Sequence, residues 1–142
     1  MRHWVRSIKF AAFLIITIST VVSLVASGTA EIDLPTVLVG RWEGELSQAK
    51  SHRGADTLDR ILIINSVAKT DSGWIADCAF GISGKELTPV QATLDTSAGA
   101  PTLSFLTGSN GRVSLRVHDD QNLLGSFSKG SAERTLKLRK MK

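Results

Sequence analysis

The 142-residue chain has a single cysteine, no tyrosine, three prolines and three histidines. With Cys78 alone, no intrachain disulfide can form, so stability must come from packing. Its thiol suits a buried small hydrophobe, the rival being an intermolecular bridge in an exported protein. Beyond residue 30 only His52 and His118 remain, and neither has Cys, Asp or Glu at ligand spacing. No metal site is expected. Acidic residues are missing before Glu31, and no helical period of useful length follows residue 30.

The missing early acids explain the apparent basicity. Of the 17 Lys and Arg, the leader holds Arg2, Arg6 and Lys9, leaving 14 against 13 acidic residues. A nucleic-acid surface is therefore not expected. A modest basic cluster remains at Arg134, Lys137, Arg139, Lys140 and Lys142. Its alternation along a strand suits a solvated face, and a membrane-surface role is the weaker reading.

Residues 1–30 form a basic n-region, the apolar run Phe10–Ala26, and the small-residue exit Gly28-Thr29-Ala30. This pattern predicts a signal peptide cut before Glu31 and a periplasmic or secreted product. The rival is an uncleaved anchor, for which 17 residues diluted by Thr17, Ser19, Thr20 and Ser23 are marginal. Without the leader, 112 residues remain, enough for one core.

Residues 31–36, with Pro35, read as an extended lead-in, and 37–142 as one all-β domain. Eight stretches follow, separated by turn chemistry: 37–46, 58–67, 74–82, 85–94, 102–107, 112–118, 123–128 and 132–140. In the first, Leu38, Gly40, Trp42, Gly44 and Leu46 share a face opposite Val37, Val39, Arg41, Glu43 and Glu45. Asn110-Gly111 is a strong hairpin signal. The polar stretch 47–56 is the longest connection and the expected mobile loop or lid. Short sequential connections favour an eight-stranded antiparallel up-and-down barrel, which leaves no open edges. A two-sheet β-sandwich is the alternative.

With Gly40-Arg41-Trp42 in the first strand and the basic last strand Arg134-Thr135-Leu136-Lys137-Leu138-Arg139, the chain resembles the calycin group of lipocalin-like and avidin-like barrels. The resemblance implies that Trp42 packs at a closed barrel end under a basic side chain near the last strand. Arg139 and Lys140 are the candidates, and Lys140 has the parity of inward Leu136 and Leu138. No C-terminal helix, disulfide or tyrosine is present, and no set of biotin-contact residues is evident. What the resemblance implies is a fold, not a ligand.

Catalytic signals are lacking. Gly81-Ile82-Ser83-Gly84-Lys85 has neither the first glycine nor the Ser/Thr of a phosphate loop, and no Gly-x-Ser-x-Gly elbow occurs. Glu43 and Glu45 share an outward face. A non-enzyme with no catalytic residue and no cofactor is expected. Trp42, Trp74, Phe80, Phe105 and Phe127 fall on inward sets, as plain core or as the lining of a cavity for a small hydrophobic or cyclic ligand. Gly40, Gly44 and Gly125 on those faces either make internal space or let strands bend. The competing function is a filled barrel that contacts an envelope protein, such as an inhibitor of a secreted hydrolase. Membrane contact is expected only through the leader, if it stays uncleaved.

Overall fold

Turn residues and two-residue alternation act together through most of the chain. The computed structural model describes residues 33–47 and 58–142. Its eight strands are β1 (Gly40–Leu46), β2 (Leu58–Thr70), β3 (Gly73–Ile82), β4 (Thr88–Asp95), β5 (Thr102–Leu106), β6 (Arg112–Val117), β7 (Asn122–Lys129) and β8 (Ala132–Lys140). Each pairs antiparallel with the next, and β1 pairs with β8, so the meander closes into a barrel. The sandwich is thereby excluded. The leader 1–30 and nearly all of the expected loop 47–56 lie outside the described residues.

Closure follows from the pleat. Val113, Leu115 and Val117 of β6 are buried while Arg112 and Arg116 are exposed, the alternation expected of a sheet wet on one face. The inward residues of all eight strands meet in one core, in which Trp42, Leu46, Leu62, Leu103, Leu115, Leu123 and Leu136 are fully buried. Asn110, at φ 62°, makes the tight turn between β5 and β6, where the Thr107 N–H donates to the Gly111 carbonyl and the Asn110 N–H donates to the Thr107 carbonyl.

Two departures from the sequence reading matter. Residues 34–38 are not extended: Leu34–Leu38 forms a one-turn helix, α1, and β1 starts at Gly40 rather than Val37. Pro35 suits the first helical turn, where its missing N–H is no loss. The Thr36 hydroxyl donates to the Asp33 carboxylate at 2.6 Å, and Leu34 and Leu38, four residues apart, bury one face. That four-residue spacing is the helical signal, too short to stand out as a period. The second departure is β2, which runs on to Thr70 with a bulge between Ile64 and Ser66. The bulge turns Val67 rather than Ser66 into the core, so inward parity shifts by one.

Candidate functional site

The antiparallel order sets two distinct ends. At one, β1 begins, β8 finishes, and α1 lies with Leu34 and Leu38 in the core. At the other, β1, β3, β5 and β7 finish and β2, β4, β6 and β8 begin.

The first end is plugged. Trp42 is fully buried, and its indole Nε1 donates to the Leu38 carbonyl at 2.9 Å. Lys140 Nζ stands 5.4 Å from the Trp42 ring centroid. The same ammonium donates to the Val37 carbonyl at 2.6 Å and to that of Thr36 at 3.3 Å, the orphan acceptors at the end of α1. Gly40 has φ +140°, and a Cβ there would meet Lys140 Cε at 3.1 Å, so the glycine gives the lysine stem room to pass. Arg139 is exposed and paired in register with Glu43 and Asn122, away from the indole. The C-terminal basic cluster is thus divided by the pleat: Lys137 and Arg139 face water, Arg134 and Lys140 face in.

The second end holds a cavity of about 270 Å3, lined by Arg60, Phe80, Ile82, Val90 and Phe127, with Thr88, Thr107 and Ser109 among its polar groups. Of the five aromatic candidates, Phe80 and Phe127 line it. Phe105 packs edge-to-face on Phe80, with ring centroids 5.2 Å apart and planes at 67°. Trp42 belongs to the plug. Trp74, half-buried near the start of β3, has Lys69 Nζ 5.9 Å from its ring. The five are therefore not one lining. Gly44 and Gly125 make no internal space either: a Cβ on them would lie 1.8 Å from the carbonyl oxygens of Lys137 and Ser114. They are places where neighbouring strands press together.

Two arginines, which a pattern of inward aromatics does not mark, complete the mouth. Arg60 lies two residues before buried Leu62, and Arg134 two before buried Leu136, so both take inward parity. Arg134 is the register partner of Phe127. The Arg60 Nη1 atom is buried and has no hydrogen-bond partner among the described residues. Burial lowers the affinity of its guanidinium for the proton, and the positive charge of Arg134 lowers it further. Among the described strands, the ionisable residues of inward parity are Arg60, Lys69, Lys129, Arg134 and Lys140, all basic. Glu43, Glu45, Asp59, Asp77 and Glu133 take outward parity. Parity applied to charge, rather than to aromatics alone, is the signal that marks this end.

Cys78 is buried in the core, and burial first, with Asp77 second, pushes its thiol up to about 12. It is a packing residue, far from the thiolate form that nucleophilic chemistry needs. No cluster of three potential metal ligands occurs among the described residues. Comparison with family models, with curated proteins and with solved structures finds no match for this chain.

Proposed function

We propose that the protein is an exported, non-enzymatic binding module of calycin-like type that takes a small hydrophobic or cyclic ligand at the open end of its barrel. The observation that carries this reading is the mouth cavity, apolar along Phe80, Ile82, Val90 and Phe127 with a few polar groups beside them. Binding sites for small molecules combine these features. The cavity lies just below the usual range of about 300–1,000 Å3, and the plug fills the opposite end, so the ligand is compact and does not thread the barrel. The leader at residues 1–30 supports export, and Trp42 beneath Lys140 beside the β1–β8 seam supports the calycin-like assignment. Titration of the protein with naphthalene-sized and short-chain compounds, followed by NMR, tests the reading. Shifts centred on Phe80, Val90 and Phe127 are expected. Shifts absent there across the panel would remove it.

A second reading, a protein-contacting module such as an inhibitor of a secreted hydrolase, rests on the β4–β5 seam. Register there covers only Thr93–Asp95 with Thr102–Ser104, which leaves Thr88–Ala92 without partners on that side. Leu106 beside it is 60 % exposed. An unpaired edge next to an apolar side chain is a docking feature for an added strand. Pull-down from an envelope fraction tests it: Leu106→Asp should abolish recovery of the partner, and retention of the partner would exclude this surface.

A further inference from the structure

Building on the mouth-cavity reading, we infer that the ligand is a small amphipathic monocarboxylate whose anionic group is held by Arg60, with Arg134 reinforcing the field. The cavity alone would fit neutral molecules. What selects an anion is the combination of a buried, unpartnered guanidinium nitrogen and a second arginine of inward parity, with no acidic residue of inward parity among the described strands.

Guanidinium carries five N–H donors and no acceptor, so a buried nitrogen of this kind is stable only when an acceptor reaches it. The apolar walls Phe80, Ile82, Val90 and Phe127 offer no side-chain oxygen. Arg60 is half-buried, and its Nη1 donor, left without an acceptor in the ligand-free chain, costs stability there. Keeping arginine there fits a site whose missing partner arrives from solution. A planar carboxylate matches the planar fork better than a spherical anion does. Its apolar body then lies against the two phenylalanine rings, with Thr88, Thr107 and Ser109 at the rim. No covalent step is involved.

The test uses three compounds of one shape: 1-naphthoate, 1-naphthamide and 1-naphthylmethylammonium, titrated calorimetrically into the full protein at low salt. The carboxylate is expected to bind about ten- to hundred-fold tighter than the amide, the worth of one or two charge-assisted hydrogen bonds, and the ammonium weakest. Arg60→Gln should remove most of that preference while leaving the amide's affinity within about two-fold, and Arg134→Gln should remove a smaller part. Equal binding of all three compounds, or a preference for the ammonium, overturns the charge assignment and leaves the apolar pocket standing. Binding of none at the mouth overturns the pocket itself. Should either variant fail to fold, the wild-type protein decides: rising salt must weaken naphthoate and leave naphthamide unchanged, and equal salt responses count against the inference. A third readout is stability. Arg60→Met should raise the melting temperature of the ligand-free protein, and a fall of several degrees would make Arg60 a structural residue.

Discussion

Trp42 joins three kinds of interaction in one side chain: full burial, an indole hydrogen bond to Leu38, and a cation above its ring. Trp42→Ala should cost about 3–5 kcal/mol in urea unfolding, the range for large aromatic core deletions. A loss well below about 1 kcal/mol would mean the ring is not the plug. Lys140→Met keeps the stem and removes the charge, so the loss should be smaller, about 1–2 kcal/mol, from the cation over the ring and the cap on α1. Cys78 gives a pH-dependent test. Its thiol ionises near 9.0 when unfolded and only at about 12 when folded. Between those values the unfolded chain releases a proton that the folded chain keeps, so stability falls as pH rises and is unaffected below pH 9. Cys78→Ala should therefore show a flatter alkaline limb in melting temperature against pH than wild type. An unchanged slope would place the thiol in contact with water.

The elements differ in how far pattern alone reveals them. Strand β6 is legible residue by residue, because one face is wet, one dry, and a turn bounds each end. Helix α1 is not, since one turn cannot show a period and its two anchors, Leu34 and Leu38, also fit a strand face read from Leu38 onward. The bulge in β2 is illegible for a different reason: Ile61–Ile64 is apolar on both faces, so the sequence pattern does not announce where inward parity shifts. At the site, Phe80 and Phe127 are legible as inward aromatics. Their grouping with Arg60, and the separation of Trp42 and Trp74 from them, depend on barrel closure, which no local pattern encodes. The element with least support is the β4–β5 seam, bonded over Thr93–Asp95 only. Hydrogen exchange should accordingly find Phe105 and Leu106 less protected than Leu62 to Ile64 of β2, which are laddered on both sides. Equal protection would mean that the seam zips further in solution.

Closing the barrel asks the chain to join its two ends, since Trp42 meets Lys140 and Leu46 meets Leu136 across β1 and β8. Loop-closure entropy must be overcome before that seam returns any packing energy, which makes it a late event. The hairpin β2–β3 is the opposite case. It is the longest ladder in the molecule, running from Arg60 paired with Ile82 to Thr70 paired with Gly73, and a tight turn at Asp71-Ser72 joins it. A nucleus built on that hairpin can form from local contacts alone, with Ile64, Val67, Ala76 and Cys78 supplying its buried face. Stopped-flow chevrons should then separate two classes of variant. Leu138→Ala at the seam should act chiefly by speeding unfolding, whereas Ile64→Val in the hairpin should act chiefly by slowing folding. The reverse assignment would mean that the ends meet first and the barrel forms around its closure.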